Sequence, residues 1–596
     1  MTRCHPLCKM ALSLGLLLQF LVAGPVASQQ PRPYLEPMDG PPLDGQPPRT
    51  APKSESDAWR PPPESDYAVR RGGLPEAERV DRGDLAPVMA GGSSGLPREL
   101  WQGLDAESFE RLISDLELPP RSPALHALWK RLIASNAAPP SGVSSDSAFN
   151  AVRLEVLYQS GLAEDAAGEL AKLPTGDDPV LAALGARNEL ALAHADKGCE
   201  LARKAVSLKG QTPKWLKAQA LLMSGYCAAL ADDKAGAGLA AEIARDEGAE
   251  STPGLEALDA ISIGAKAKPS SAKKFTLLDY RILERAGAAP TKAVLEGGEP
   301  ALLVALSNDP STPADLGLLA AEAAARLNAL TPETLASIYR VNAGEEPSDA
   351  LLSGGKAQGP FRRAALLKAA ETERTPMKRA RLIRALLDDA KRNGLLFQSL
   401  QMIAPVAGQL TPQPEIGWFA ETGVEISLAA GQYDAARRWV GLAPTPGALT
   451  HWLALADIAD PNFSPRGQDL PALESIAASG RFSPDTLHRL ATVLDALLYQ
   501  VPIPLWDTAS RTPQPTGGYL PPTGVLSELQ DAAKKKEFGR TVLLAMKALG
   551  PDGAEGAHMI ALGDAIRALK RAGLEPDARR LGLEALLVAW PRAGGG

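Results

Sequence analysis

The residues able to do chemistry are few and widely spaced. After residue 28, histidine occurs only at positions 126, 194, 451, 488 and 558, and no two stand at a metal-ligand spacing. Residues 91–95 match G-x-S-x-G, but no strand precedes them to build a nucleophile turn. Residues 354–356 lack the upstream glycine and the Ser/Thr of a phosphate loop. We therefore predict no catalytic residue, no metal ligand and no cofactor site.

The composition excludes several classes of protein. The 596 residues carry a formal net charge of -7, so no general basic field is available for nucleic acid. Aromatic residues make up only 5% of the chain, which argues against a large β-sandwich or barrel. Four cysteines are too few for a disulfide-dense scaffold. The length is sufficient for several core-sized units.

The first 28 residues have the pattern of an export signal. Arg3 and Lys9 are basic, and the apolar stretch at 10–23 is shorter than the ~20 residues that span a bilayer. Small residues follow up to Ser28. We predict a cleaved signal peptide at 1–28, an exported, periplasmic protein, and no transmembrane span after cleavage. The alternative is an uncleaved anchor.

A proline-rich segment follows the predicted signal. Residues 29–66 hold 11 prolines in 38 positions. Proline removes backbone donors and blocks helix ladders, and such a composition buries little apolar surface. We predict a disordered stalk over residues 29–95.

From Leu96 onward the chain has helical patterning. Phe109, Leu112, Ile113 and Leu116 are spaced to share one helix face. Thr-Pro or Ser-Pro pairs recur where helices should begin, because the hydroxyl can cap free N–H groups and proline is tolerated in the first turn. These pairs begin at Thr212, Thr252, Thr312, Thr331, Thr375 and Ser483. No run of alternating strand pattern is found, so the predicted fold class is all-α.

Five segments repeat one pattern: a tight turn after an apolar helix, then a small residue early in the next helix. The first three recur at spacings of 33 and 38 residues, a helical-repeat period. The segments are GLAEDA (161–166), HADKGC (194–199), DDKAGA (232–237), GQYDAA (431–436) and GLEPDA (573–578).

The pattern resembles a degenerate tetratricopeptide repeat. The resemblance implies a right-handed α-solenoid of helical hairpins. The irregular segment at 501–525 predicts a division between a main array at 96–500 and a C-terminal helical unit at 526–596. The order of signal, stalk, the opening LPRELW at 96–101 and helical pairs also resembles exported helical-repeat proteins of α-proteobacteria. That second resemblance implies no activity.

The repeat register places two cysteines on neighbouring helices. Cys199 should lie near the start of one helix and Cys227 near the end of the next, so antiparallel packing would bring the thiols together. An exported protein meets an oxidising environment, and we predict a disulfide between them. The alternative is two separately buried thiols.

One irregular segment is unusually long for a compact array. Residues 501–525 are rich in proline, glycine and threonine and carry Trp506 and Tyr519. Long loops without secondary structure are often functional. We predict a long loop with Trp506 and Tyr519 as candidate partner contacts. The alternative is that Trp506 and Leu520 hold the loop against the array.

These features favour a protein that works by contact. The predicted function is a non-catalytic scaffold or adaptor that binds an envelope protein or peptide through its helical-repeat surface, without nucleic acid and without cofactors. Two alternatives remain: a cell-envelope enzyme of the wall-hydrolase type with an unrecognised site, and a carrier of a small apolar ligand.

Overall fold

A computed structural model describes residues 96–593, except 97–98, 136, 144–145, 174–176, 269–273, 291–292, 412 and 463–469. The predicted signal (1–28) and stalk (29–95) lie outside the described residues. The described residues belong to one compact unit, residues 78–596, which includes those of the predicted array and of the predicted C-terminal unit.

The described part of the chain is all-helical, as predicted, and contains no strand beyond three isolated β-bridges. Its first helices are α1 (Ala106–Ser114), α2 (Pro123–Ile133), α3 (Asp146–Gln159), α4 (Ala163–Leu170), α5 (Pro179–Ala191), α6 (Ala195–Ser207), α7 (Lys214–Leu230), α8 (Lys234–Asp246), α9 (Pro253–Ser262) and α10 (Leu277–Arg285). The middle helices are α11 (Ala293–Gly297), α12 (Pro300–Asn308), α13 (Ala314–Arg326), α14 (Pro332–Asn342), α15 (Ser348–Leu352), α16 (Gly359–Thr372), α17 (Pro376–Arg392), α18 (Leu396–Ala407), a 3₁₀-helix (Pro414–Phe419), α19 (Ala420–Ala429) and α20 (Tyr433–Val440). The last helices are α21 (Thr450–Ala459), α22 (Leu470–Ala478), α23 (Pro484–Ala496), α24 (Ile503–Ser510), α25 (Val525–Lys534), α26 (Phe538–Leu549), α27 (Gly553–Gly556), α28 (Met559–Ala572) and α29 (Glu575–Leu587).

Four of the hydroxyl-proline pairs begin helices as predicted, those at Thr252, Thr331, Thr375 and Ser483, and in three of them the hydroxyl also caps the helix. Thr252, Thr331 and Ser483 each accept a hydrogen bond from a backbone N–H in the first turn, at 3.1 to 3.2 Å, and proline occupies the first helical position. The other three pairs give no side-chain cap. In the pairs at Thr212 and Thr312 the proline itself is the cap residue, so the helix begins one position later and the threonine hydroxyl lies outside it. The uncapped pairs are those at Thr212, Thr312 and Thr375.

One turn geometry joins the helix pairs that the sequence pattern singled out. A residue with positive φ ends the first helix, and the next N–H donates back to a carbonyl five residues earlier. Leu162 N donates to Leu157 O at 2.9 Å, and Gln432 N donates to Ser427 O at 2.8 Å. The positive-φ residues are Gly161, Ala193, Asp232, Gly431 and Gly573. All five predicted segments are therefore helix–turn–helix connections.

The second segment is one residue out of the predicted register. Ala193, not His194, has the positive φ of 61°, and the small residue five positions later is Gly198, not Cys199. A Cβ on Gly198 would lie 2.7 Å from the Leu190 side chain, so the close approach of α5 and α6 requires glycine there. The matching alanines of the other four pairs are buried.

Helices from the two ends of the described chain pack together. At one end of α2, Ala124 N donates to Glu584 Oε2 of α29 at 2.8 Å. At the other end of α2, Arg131 forms an ion pair with Asp577 of α29. A carboxylate at the α2 N-terminus satisfies a free N–H and complements the helix dipole. The sequence pattern did not predict this contact between distant helices.

The residues just before α2 contact the middle of the chain. Asn328, in the turn between α13 and α14, donates its side-chain amide to Arg121 O at 2.8 Å. Within α2, Trp129 is fully buried, and its Nε1 donates to Ser160 Oγ at 3.1 Å. The segment that contains α2 is therefore bonded both to the middle of the chain and to α29.

A buried ionic network joins α13, α14, α16 and α17. The Arg363 guanidinium donates to both oxygens of Glu322 at 2.7 and 2.8 Å, and to Asp389 Oδ1 at 2.5 Å. Tyr339 OH donates to Glu322 Oε1 at 2.7 Å. Because Glu322 and Arg363 are almost wholly buried, each depends on the other for its stabilisation.

We expect Glu322→Ala to lower the free energy of unfolding by about 3 to 5 kcal/mol, because it leaves a buried guanidinium without its main partner. Urea unfolding followed by circular dichroism measures the change. Glu333→Ala removes an exposed carboxylate from the neighbouring helix α14 and should leave the midpoint unchanged. Equal urea midpoints for the two variants would contradict the stabilisation of Arg363 by Glu322.

Stability should also depend on the ionisation of Glu584. Burial raises the pKa of this carboxyl from 4.5 to about 7. Between these pH values the folded protein binds more protons than the unfolded chain, so this group makes stability fall as pH rises from about 4.5 to 7. Glu584→Gln keeps the acceptor for Ala124 N but buries no charge.

We therefore expect Glu584→Gln to be more stable than the wild type at pH 8, by at most about 3 kcal/mol, and equal to it at pH 4.5. Urea midpoints at the two pH values test this, with the exposed Glu256→Gln as the matched control. A loss of stability at pH 8 would mean that the charged carboxylate is required at the α2 N-terminus.

Candidate functional site

The predicted disulfide is present. Cys199, near the start of α6, is bonded to Cys227, near the end of α7, and their Cα atoms are 5.6 Å apart. The two helices pack together after the chain reverses between them, as the repeat register required. The bond links two successive helix pairs, so its role is structural.

The predicted long loop at 501–525 is corrected by the structure. Helix α24 occupies Ile503–Ser510, so only residues 511–524 connect two helices without regular structure. The prolines misled the prediction, because Pro502 is the N-cap and Pro504 lies in the first turn, where no hydrogen bond is lost. Leu505 and Ala509 are buried and give the helix an apolar face.

Tyr519 is attached to the corner between α26 and α28. Its N–H donates to Gly556 O at 2.8 Å, and its carbonyl accepts from His558 N at 2.9 Å. The ring lies against Gly550, where a Cβ would stand 2.7 Å from it. The ring nevertheless remains 39% exposed. The connection at 511–524 is thus held in place at Tyr519, and the side chain of Tyr519 remains accessible to solvent.

Trp506 lies at the edge of the buried face of α24, three residues before Ala509, and it is 45% exposed. Two apolar neighbours are more exposed still: Ile503, which the prediction did not single out, at 82%, and Leu520, which it named only as an anchor of the loop, at 56%. Trp506 and Leu520 are therefore not buried anchors of the segment. The sequence gives only a weak signal for Ile503 and Leu520, because each is simply an apolar residue next to prolines.

We call Ile503, Trp506, Tyr519 and Leu520 the exposed apolar segment. They lie within eighteen consecutive residues on two supports, α24 and the α26–α28 corner. Both supports pack beside α23. His488 on that helix stands 3.1 Å from Thr512 Oγ1, and Arg489 donates to Ala554 O at 2.6 Å.

The buried acidic residues join helices to each other and to the C-terminal stretch. Burial raises the pKa values of Glu425 and Asp577, and each meets an arginine from a remote part of the chain. Glu425 pairs with Arg592, and Asp577 pairs with Arg131. In the part of the chain that the structure describes, no three His, Cys, Asp or Glu side chains are grouped to hold a metal ion.

The buried histidines have packing roles. Burial lowers the pKa of His126 to about 4, so this side chain is neutral at neutral pH. His451 contacts Pro591 O at 2.9 Å and stacks on Trp590. In contrast, His194 is exposed, and its Nδ1 lies within hydrogen-bond distance of Glu189 Oε2, at 2.8 Å.

Comparison with known protein families, with curated proteins and with solved structures finds no match to this chain. Among the described helices, none combines the length and the apolar character needed to cross a membrane.

Removing the disulfide should lower stability without changing the fold. The bond closes a loop between residues 28 positions apart, which corresponds to about 3 kcal/mol of chain entropy. We expect the Cys199→Ser/Cys227→Ser variant to melt at a lower temperature with an unchanged helical spectrum. Reduced wild type is the control and should match the variant. Identical melting of oxidised and reduced protein would contradict this expectation.

Proposed function

We propose that this protein is an exported, non-catalytic scaffold or adaptor that binds a protein or peptide partner in the cell envelope. The helix pairs are proposed to form a tetratricopeptide-like, right-handed solenoid whose surface presents the binding residues. The repeated turn geometry of five helix pairs supports this arrangement. The partner remains to be identified by experiment.

The exposed apolar segment carries the proposal. Exposed apolar side chains are unfavourable in water, and groups of them commonly mark interaction sites. Tryptophan and tyrosine are the residues most often found where binding energy is concentrated. Trp506 and Tyr519 both supply large rings at low conformational cost.

The attachment of this segment favours binding. Leu505 of α24 is buried and holds that helix in place, and Tyr519 is fixed through hydrogen bonds of both its backbone N–H and its carbonyl. A partner would therefore meet side chains on ordered backbone and lose less conformational entropy on binding.

The proposed location in the periplasm has two supports. The pattern of residues 1–28 is that of an export signal. The Cys199–Cys227 disulfide is suited to an oxidising compartment. In this proposal the proline-rich residues 29–95 give the folded part reach within the envelope.

We expect Trp506→Ala/Tyr519→Ala to reduce capture of the partner at least tenfold, because truncating two central aromatic contacts removes much of the binding energy. Cross-linking in intact cells, followed by purification of this protein, measures the amount of the partner recovered. Melting temperature and helical signal should stay at wild-type values because both rings are partly exposed.

Trp418→Ala is the matched control, since Trp418 is exposed to a similar extent on a different part of the chain. It should capture the partner as the wild type does. Full capture by the double variant would move the binding surface elsewhere. Unfolding of the double variant would show that the two rings are structural.

A further inference from the structure

A second potential site lies far along the chain from the exposed apolar segment. A partly open cavity of about 300 Å³ lies among α3, α5, α7 and α10. Leu222, Met223 and Leu278 line its apolar wall. Trp215, on α7, also lines the cavity and is 48% exposed to solvent. This size is at the lower end of small-molecule sites.

The inner end of the cavity is polar and centres on Glu299. Its Oε1 accepts hydrogen bonds from Tyr158 OH at 2.7 Å and from Leu277 N at 2.8 Å. Burial raises the pKa of this carboxyl, and the neighbouring Asp279 raises it further. No cation in the described residues forms an ion pair with Glu299.

The nearest cation is already engaged. Arg187 stacks on the Tyr158 ring, with 3.9 Å between the guanidinium carbon and the ring centroid. One of its terminal nitrogens is bonded to Glu155, and the other donates to Gln219 Oε1 at 3.2 Å.

The charges around the inner end therefore do not balance. Asp279 is buried and accepts from Gly254 N at 2.9 Å and from Thr276 Oγ1 at 2.7 Å, and among the described residues it forms no ion pair. The described side chains that line the cavity include three acidic groups, Glu250, Asp279 and Glu299, and one basic group, Arg187, which already pairs with Glu155. Hydrogen bonds and the N-terminus of α12, where Glu299 is the N-cap residue, offset part of the cost of its charge, but no ion pair among the described residues does, so this end of the cavity favours positive charge.

We propose that this cavity binds a small organic cation: a primary ammonium group on an apolar or aromatic body. The ammonium group lies at Glu299, where it forms a charge-assisted hydrogen bond. The body lies along Leu222 and Met223, and Trp215 adds an aromatic face that attracts cations. This ligand is distinct from the partner of the exposed apolar segment.

The test uses phenethylamine as the probe, with phenethyl alcohol and phenylacetate as compounds of similar body and different charge. Titration calorimetry at pH 8 on the full mature chain should show binding of the amine. We expect the alcohol to bind at least tenfold more weakly. Phenylacetate should not bind, although it would be preferred if Arg187, whose Nε has no hydrogen-bond partner among the described residues, were the recognition group.

Two variants identify the contacts. Glu299→Gln keeps the acceptor for Tyr158 and Leu277 but removes the charge, so amine affinity should fall at least tenfold. Glu242→Gln, an exposed carboxylate on α8, is the matched control and should bind as the wild type does. Trp215→Ala should weaken amine binding at least fivefold. Because Trp215 is partly exposed, the Trp215→Ala variant should fold, and it tests whether the amine binds in this cavity if Glu299→Gln does not fold.

Equal binding of amine and alcohol would overturn the proposal by showing an apolar pocket without charge selection. Tighter binding of phenylacetate would overturn it in favour of Arg187. Unchanged affinity in both variants, or no heat with millimolar amine, would also overturn it. Partner capture by Trp506→Ala/Tyr519→Ala is measured separately, so either proposal can fail without the other.

Discussion

The contact between α2 and α29 is the constraint on which the rest of the helix packing depends. A helix of eleven residues has few intrahelical hydrogen bonds and is marginal alone in water. Here α2 is stabilised by burial of Trp129 and by acidic groups of α29 at both ends, Glu584 and Asp577. The residues that lead into α2 are in turn bonded to the middle of the chain, where Asn328 donates to Arg121 O.

The hairpins were predictable because their cause is local. Gly161, Gly431 and Gly573 adopt a backbone conformation that side chains disfavour, and an apolar helix precedes each of them. The same turn also occurs at Asn328, Gly394 and Lys536, where the sequence pattern had not been recognised. Asparagine adopts positive φ more readily than most residues, so Asn328 offered a weak local signal, whereas Lys536 needs the support of its surroundings, which no local pattern records.

The candidate surface was predictable only in part. Two aromatic residues in a proline-rich segment gave Trp506 and Tyr519, but the helix under Trp506 was missed because proline was taken as a helix breaker. The cavity at Glu299 left no trace in the sequence. The polar side chains at its inner end, Tyr158, Arg187, Asp279 and Glu299, come from α3, α5, α10 and the residue before α12, and only the packing of those helices brings them together. Charged residues elsewhere, such as Arg363, join helices instead of serving a site.

The closure of the fold has a consequence for synthesis. Residues 124 and 584, which form a hydrogen bond in the finished protein, are 460 positions apart. At about 5 to 20 residues per second, the ribosome takes roughly half a minute to a minute and a half between them. During that interval the apolar face of α2, with Leu128, Leu132 and Ile133, lacks its partner helix. The nascent chain therefore exposes this apolar surface until residues 575–587 have been synthesised, and those residues complete a core begun near residue 100.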